Sequence, residues 1–180
     1  NIHGHWPRLL GPPEGRGRPP AERKRFCSFI VSNGAPPIRR QFFNMLHVRK
    51  PVDSWGAFQN TMQGRRPSAD QGTPEYFDFL GDYRFMIAFE NTAVDYYLTE
   101  KLINAYAAGC IPIYWGCPQV AEMLNPKAFL WLKSPNPTVD DMARLIEQIL
   151  ELDNDPEAMA RIQAEPLFLT NPTTQQQKIS

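Results

Sequence analysis

Residues 84–116 read RFMIAFENTAVDYYLTEKLINAYAAGCIPIYWG, and this stretch decides the fold. Its first part, residues 84–90, is a nearly continuous apolar run, which is typical of a strand buried on both faces of a parallel sheet. An amphipathic helix is predicted to begin near Thr99, and residues 110–116 predict the next strand. Strands that alternate with helices at this spacing predict a parallel sheet wrapped by helices.

The flanking sequence continues the alternation of strands and helices. The predicted elements are a strand over 26–33, a helix from Pro37, a short strand over 52–55, a helix from Pro74 capped by Thr73, a strand over 128–132, and a helix capped by Thr138 with Asp141 in capping-box position. The predicted fold class is therefore α/β, a Rossmann-like parallel sheet with helices on both faces. Such sheets bind ligands beyond the carboxyl ends of their strands.

The length of 180 residues suits one compact domain with short ends. Residues 1–25 are rich in Pro, Gly and Arg, which predicts a linker or a disordered segment. The domain is predicted over 26–165, and a polar tail over 166–180. Because the chain begins at Asn1 and not at a methionine, we expect it to be a fragment of a longer protein.

The composition excludes several classes of partner. Nineteen basic and nineteen acidic residues cancel, so no global field favours nucleic acid or an anionic membrane, and a bound anion needs a local cluster of cations. No apolar run approaches the roughly 20 residues that cross a bilayer. Three cysteines without a CxxC pair argue against a disulfide scaffold or zinc ribbon and favour a reducing compartment; Cys27 and Cys110 are predicted core residues.

Basic residues occupy the first turns of two predicted helices. Arg39 and Arg40 follow Pro37, and Lys101 follows Thr99. Positive charge at a helix start opposes the helix dipole by about 0.3–1 kcal/mol unless an anion offsets it. A phosphate is one such anion. An exposed arginine paired with a surface carboxylate is the alternative.

The junction over 90–101 places three carboxylates, an amide, two tyrosines and Lys101 in the predicted ligand crevice. With the arginine at the other helix start, it fits a clamp for a diphosphate. Glu100 has a second interpretation as an ordinary acidic residue in the first helical turn. Neither junction has the glycine spacing of a dinucleotide fingerprint or a P-loop, which argues against nicotinamide cofactors and ATP. The residues alone predict an α/β domain that binds a phosphorylated ligand.

The stretch over 89–116 closely resembles the donor-binding motif of the α-1,3/4-fucosyltransferases, the family-10 glycosyltransferases. It contains Phe-Glu-Asn, then Asp-Tyr, then Thr-Glu-Lys, then a Gly before an Ile-Pro strand that ends in Gly. The segments FCSFIVSNGAPPIRRQFF and NPKAFLWL are also similar to the family, especially to its bacterial members. The resemblance covers roughly residues 24–150.

This resemblance implies the C-terminal half of a GT-B-type enzyme that binds GDP-fucose. It implies inverting transfer of L-fucose to a GlcNAc-containing glycan of the N-acetyllactosamine type in α-1,3/4 linkage. No cofactor is required, no metal ligands are expected, and any stimulation by a divalent metal is non-essential. The family's N-terminal acceptor domain supplies the catalytic base and is missing here, so we expect this chain alone to be inactive or weak.

The resemblance also assigns roles to individual residues. Its candidate catalytic residues are Glu90, Arg39 and Lys101, and its candidate donor-binding residues are Arg39, Asn91, Tyr97, Glu100 and Lys101. Arg39 and Lys101 match cations on the diphosphate, and Glu100 matches a carboxylate on the ribose hydroxyls. Asn91 and Tyr97 match the nucleotide pocket, and Glu90 matches an acidic residue beside fucose and diphosphate.

Two other functions fit the same sequence: a non-catalytic nucleotide-sugar-binding module, and a GT-B transferase that uses another sugar nucleotide. Should the chain contain its own base, Glu90 and Asp95 are the first candidates. The expected location is a bacterial cytoplasm, in free or membrane-associated form. The alternative is the Golgi lumen, as a truncated type II membrane protein.

Overall fold

A five-stranded, fully parallel sheet with strand order β2-β1-β3-β4-β5 organises the chain. The computed structural model describes residues 6–31, 36–56, 59–62 and 72–169. The strands are β1 (Arg25–Phe29), β2 (Asp53–Ser54), β3 (Tyr83–Phe89), β4 (Ile111–Trp115) and β5 (Leu130–Trp131). The helices are α1 (Trp6–Leu10), α2 (Pro37–Arg49), α3 (Pro74–Leu80), α4 (Glu100–Ala107), α5 (Val120–Met123), α6 (Val139–Leu152) and α7 (Pro156–Ala164).

The strands β3 and β4 correspond to the two apolar runs within residues 84–116. Register pairs Phe85 with Ile111 and Phe89 with Trp115, so β3 and β4 end side by side. Every residue of β4 is buried, because helices cover both faces of the sheet. The predicted α/β class, a parallel sheet with helices on both faces, is therefore confirmed.

Two apolar cores lie on opposite faces of this sheet. On one face α2 and α6 pack against the strands, and Phe42 and Phe89 meet with ring centroids 4.7 Å apart. On the other face α3 and α4 pack against the strands, with Leu80 and Ala105 fully buried. This arrangement holds the start of α4 against the carboxyl end of β3.

The helix caps follow the sequence in two places and differ in a third. The Thr73 hydroxyl accepts a hydrogen bond from the Tyr76 N–H (3.3 Å). Thr138 and Asp141 form the predicted capping box, with both reciprocal bonds present. Thr99 occupies the N-cap position of α4, but its hydroxyl makes no capping bond to that helix and instead donates to a carboxylate. The usual capping bond is absent at Thr99, because a buried charge offers the hydroxyl a stronger acceptor.

The linker or disordered segment predicted over 1–25 is not what the structure shows from residue 6 onward. Helix α1 and two short 3₁₀ turns, Pro13–Arg16 and Pro20–Glu22, pack at the amino ends of the strands. Arg16 and Arg23 are both 2% exposed. Arg16 donates to the Gln163 carbonyl and lies over the Tyr106 ring, whereas Arg23 donates to several carbonyl oxygens. Residues 1–5 lie outside the described part.

Arg23 makes the most hydrogen bonds in this segment. Its Nη1 donates to the carbonyls of Tyr83 and Ala108, both at 3.0 Å, and so joins the start of β3 to the end of α4. Its Nε donates to the Arg18 carbonyl (2.9 Å). A cation at the carboxyl end of a helix also complements the helix dipole. Composition alone hides such contacts, because they depend on carbonyls distant in sequence.

The other predicted boundaries need smaller corrections. The strand expected over 128–132 is confined to Leu130–Trp131, because Pro126–Ala128 forms a 3₁₀ turn. The tail predicted from residue 166 packs for a few residues more: Leu167 is fully buried, and Phe168 forms an antiparallel bridge with Leu124. Residues 170–180 lie outside the described part.

The three cysteines are buried free thiols, so the predicted core positions of Cys27 and Cys110 are confirmed. Burial raises the pKa of both thiols, to about 11 for Cys110. Within the described residues, no helix combines the length and the apolar character needed to cross a bilayer.

Candidate functional site

A cleft of about 360 Å³ opens where β3 and β4 end. It is lined by Glu90, Asn91, Thr92, Val94, Tyr97, Thr99 and Lys101. All seven belong to the connection between β3 and α4 or to the first turn of α4. The cleft therefore lies in the crevice that the parallel sheet predicts for a ligand.

Glu90 is a buried carboxylate at the floor of this cleft. It follows β3 directly, and its N–H donates to the Trp115 carbonyl (2.8 Å), which extends the sheet by one bond. The residue is 1% exposed. Its carboxylate accepts from the Thr99 N–H (2.9 Å, to Oε1) and from the Thr99 hydroxyl (2.7 Å, to Oε2). A buried charge of this kind requires a cation nearby.

Lys101 supplies that cation from the first turn of α4. Its Nζ lies 3.3 Å from Glu90 Oε2 and 3.0 Å from the Thr99 hydroxyl. The Lys101 side chain is 24% exposed, against 1% for Glu90. The sequence predicted that a cation at this helix start needs an anion, and the structure supplies Glu90 as a first anionic partner.

Gly116 makes room for the Glu90 side chain. A Cβ built at this glycine would lie 2.4 Å from Glu90 Cγ and 2.9 Å from the Tyr114 hydroxyl. The Tyr114 hydroxyl in turn accepts from the Cys117 N–H (2.9 Å), and burial raises its pKa. The final Gly of the motif is thus explained by close packing against the carboxylate.

Arg39 lies behind the cleft and does not line it. It is 1% exposed, and its Nη2 donates to the Phe89 carbonyl (2.7 Å), so it joins the first turn of α2 to the end of β3. Burial lowers the pKa of Arg39, and the negative charge of Glu90 opposes this shift. The alternative of an exposed arginine paired at the surface is wrong for Arg39. Arg40 is exposed.

The structure brings some of the predicted site residues together and leaves one apart. Glu90 and Lys101 are in contact, and Asn91 and Tyr97 line the same cleft. Glu100 is exposed at the first position of α4 and is not among the residues that line the cleft. Its two interpretations, ribose ligand and ordinary helix-start residue, both remain compatible with this position.

A second set of contacts, not predicted from the sequence, fixes the loop over 91–98. The Tyr96 N–H donates to Gln119 Oε1 (3.2 Å), and the Tyr96 hydroxyl donates to Glu122 (3.1 Å). Gln119 also donates to Asp95 (3.2 Å). Tyr96 has a φ of 55°, in the left-handed region that tyrosine seldom adopts. No local pattern signals these bonds, because the α5 residues come more than twenty positions later.

A second depression, of about 430 Å³, lies between α2 and α6. It is mostly apolar and has Arg49 at its edge. Its lining includes one charged side chain, Arg49, whereas Glu90 and Lys101 both line the cleft at β3. Across the described residues, no group of three or more His, Cys, Asp or Glu side chains is arranged to hold a metal ion.

Comparison with known proteins agrees with this geometry. Residues 20–162 match the family model described as glycosyltransferase family 10 (fucosyltransferase), C-terminal. The chain is 40% identical over 108 residues to an α-(1,3)-fucosyltransferase of Helicobacter pylori, covering 60% of this chain and 21% of the relative. It is 32% identical over 146 residues to GDP-fucose protein O-fucosyltransferase 3 of Gallus gallus, covering 76% and 30%.

Solved structures give the same result over most of the chain. A crystal structure of an α1,3-fucosyltransferase with GDP-fucose superposes with a TM-score of 0.75 and 32% identity. The match covers 95% of this chain and 46% of that one, so this chain spans less than half of its relatives. The fold predicted as half of a GT-B-type enzyme is confirmed. The chain belongs to glycosyltransferase family 10, the fucosyltransferases, and corresponds to the family's C-terminal region.

Proposed function

We propose that this chain is the donor-binding half of an inverting fucosyltransferase and that its cleft binds GDP-fucose. The observation that carries the proposal is the partly exposed Lys101 ammonium in a cleft at the carboxyl ends of β3 and β4. A strand end next to a helix N-terminus is a favourable place for a phosphate. The α1,3-fucosyltransferase with GDP-fucose that resembles this chain supports the choice of donor.

In this proposal the diphosphate lies beside Lys101 and the first turn of α4. Arg39 adds positive potential from behind the Phe89 carbonyl, without needing to reach the cleft. Asn91 and Tyr97, which line the cleft, contact the donor. Glu100 accepts hydrogen bonds from the ribose hydroxyls.

The reaction is a single displacement at the anomeric carbon of fucose. The acceptor hydroxyl oxygen forms a bond to that carbon while the bond to the β-phosphate oxygen breaks, which converts a β-linked donor to an α-linked product. The acceptor proton passes to a base, and GDP leaves with the electron pair. Lys101 and Arg39 stabilise the negative charge that grows on the diphosphate, which is often the largest contribution to catalysis.

The base belongs to the acceptor domain in this proposal. Within this chain, both oxygens of Glu90 are occupied by Thr99 and Lys101, so this buried carboxylate is poorly placed to take a proton from an acceptor. No step requires a metal, and stimulation by a divalent metal is non-essential.

Two acceptor classes follow from the relatives. The first is a GlcNAc-containing glycan of the N-acetyllactosamine type, fucosylated in α-1,3/4 linkage; the name of the Helicobacter pylori relative supports the α-1,3 linkage. The second is a protein hydroxyl, supported by the similarity to GDP-fucose protein O-fucosyltransferase 3. Transfer assays with both acceptors distinguish them.

Calorimetry with GDP, GDP-fucose and UDP tests the donor assignment. GDP and GDP-fucose should bind at least about tenfold more tightly than UDP, a difference of about 1.4 kcal/mol. Equal affinity for GDP and UDP would refute the assignment and favour a transferase that uses another sugar nucleotide.

A fusion tests the assignment as half of an enzyme. Alone, the chain should bind donor without appreciable transfer, because general-base assistance contributes about 10²–10⁴-fold and acceptor positioning adds more. A family N-terminal domain fused ahead of Trp6 should restore turnover. The junction precedes Trp6 because α1 packs against α4 and the Pro20–Glu22 turn packs against β3. Donor binding without transfer in the fusion would favour the non-catalytic module.

We further propose a bacterial cytoplasm as the location, supported by the Helicobacter pylori relative and the three free thiols. The alternative is the Golgi lumen. Fractionation of the source cells with an antibody to this chain tests the choice, and recovery in a secretory compartment would overturn it.

A further inference from the structure

Two protein groups engage the Lys101 ammonium. It contacts Glu90 Oε2 at 3.3 Å and the Thr99 hydroxyl at 3.0 Å. An ammonium group has three N–H donors, so one remains for a phosphate oxygen. The contacts with Glu90 and Thr99 therefore restrain two N–H donors of Lys101 and leave the third for a ligand in the cleft.

Glu90 cannot follow Lys101 toward a ligand. The Thr99 N–H and hydroxyl hold its two oxygens, and Gly116 packs against its stem. Because the residue is 1% exposed, water does not screen its charge. Any anion that approaches Lys101 therefore meets a fixed negative charge a few ångströms behind the cation.

We propose that Glu90 is a positioning residue that orients Lys101 and competes with the diphosphate for its ammonium, which weakens the hold of the cleft on a nucleoside diphosphate. The inference rests on the proposed function and deepens it. A transferase must release GDP after each turnover, and two unopposed cations would retain that anion. Glu90 offsets part of the positive charge of Lys101 and Arg39, so the cleft binds a diphosphate weakly enough to release it.

The substitution Glu90→Gln separates charge from shape. The amide keeps an oxygen for the Thr99 N–H and hydroxyl and keeps the fit against Gly116, but it removes the negative charge. Affinity for inorganic pyrophosphate and for GDP should rise about tenfold at low salt, because one opposing unit charge close to a polyanion is gone. The rise should shrink as salt increases. Guanosine affinity should not change.

The guanosine measurement excludes a merely structural role. If Glu90 only held the loop in place, Glu90→Gln would weaken guanosine and pyrophosphate binding together and lower the melting temperature. Unchanged or weaker pyrophosphate binding by a variant that melts like the unaltered chain overturns the proposal.

Glu122→Gln is the matched control. Glu122 is an exposed carboxylate next to the same loop, and its contact is the Tyr96 hydroxyl, not Lys101. Removing its charge should change pyrophosphate affinity by less than about twofold, because solvent screens it. An equal gain in both variants would show a general charge effect and would overturn the specific role of Glu90.

A second measurement needs no variant and keeps the test decisive if Glu90→Gln fails to fold. In the unaltered chain with isotope-labelled lysine side chains, pyrophosphate should shift the Lys101 signal and slow the exchange of its ammonium protons, because the anion occupies the remaining N–H donor. The other five lysines are internal references: Lys24, Lys50, Lys127, Lys133 and Lys178. Pyrophosphate binding that leaves the Lys101 signal in place overturns the proposal.

These results can be separated from failure of the proposed function. The preference for GDP over UDP tests the guanine donor and does not involve Glu90. The pyrophosphate measurements test Glu90 and involve neither the base nor the sugar.

Discussion

Gly116→Ala should be among the most damaging small substitutions in this chain. The new methyl would lie 2.4 Å from Glu90 Cγ and 2.8 Å from Glu90 Cβ, distances that side-chain carbons do not tolerate. The contacted atoms belong to the stem of Glu90 next to β3 and not to a flexible end. The φ of 153° at position 116 adds strain for any residue with a side chain.

The magnitude follows from two contributions. Overpacking a buried site costs about 1–3 kcal/mol. If Glu90 turns away to relieve the clash, it loses charge-assisted hydrogen bonds to Thr99, each worth about 1.5–3 kcal/mol. Either response predicts a loss of about 3 kcal/mol in the free energy of unfolding. The second response also disturbs Lys101, so pyrophosphate affinity should change in the same variant.

Urea denaturation at fixed pH measures the stability change, and Gly15→Ala is the control. A Cβ at Gly15 meets only the Pro7 carbonyl at 3.9 Å, and its φ lies outside the left-handed region. The control should change stability by less than about 1 kcal/mol in either direction. A Gly116→Ala protein within about 0.5 kcal/mol of the unaltered chain would show that Glu90 is not confined as described.

Four further predictions concern other parts of the fold. Arg23→Leu should cost about 3–5 kcal/mol in urea denaturation, because its buried carbonyl partners lose their donor, and a loss under 1 kcal/mol would contradict this. Hydrogen bonds from Thr138 lower the pKa of Asp141 in the folded chain, so the stability that Asp141 contributes is full above a pH of about 4 and is lost as the pH falls through its folded pKa. The difference in melting temperature between the unaltered chain and Asp141→Asn should therefore narrow on acidification, and a constant difference would contradict this. Tyr96→Gly should be tolerated far better than Tyr96→Val, because a β-branched residue resists the φ of 55°; equal melting temperatures would contradict this. Lys101→Ala should weaken GDP binding by about 1.5–3 kcal/mol and GMP binding much less, and equal losses by calorimetry would indicate an effect on folding.

The central unit could be predicted because its signals are local. The apolar runs of β3 and β4, the proline at the start of α2 and the Thr138 capping box each depend on neighbours within a few positions. Such patterns fix the element and its face before tertiary packing is considered. The carboxyl-end crevice then follows from the parallel topology.

The remaining features depend on contacts between distant residues. The environment of Arg39 requires the carbonyl of Phe89, fifty positions later, so a helix-start arginine could not be classed as buried from its own neighbours. The Thr99 hydroxyl donates to Glu90, nine positions earlier, and makes no capping bond to α4, and this contact depends on the folded path of the loop between them. The arginines before β1 looked like a solvated linker because composition does not reveal carbonyl partners.

The hydrogen bonds from Arg23 to the carbonyls of Tyr83 and Ala108 have a geometric consequence for the opposite end of α4. An eight-residue helix is about 12 Å long, so Lys101 moves by about 1 Å for each 5° that α4 tilts about its fixed end. Misplacement by about 1 Å can cost an enzyme about 10²-fold in rate. The alignment of the donor cleft is therefore set at the far side of the sheet, by a residue that no ligand in the cleft could touch.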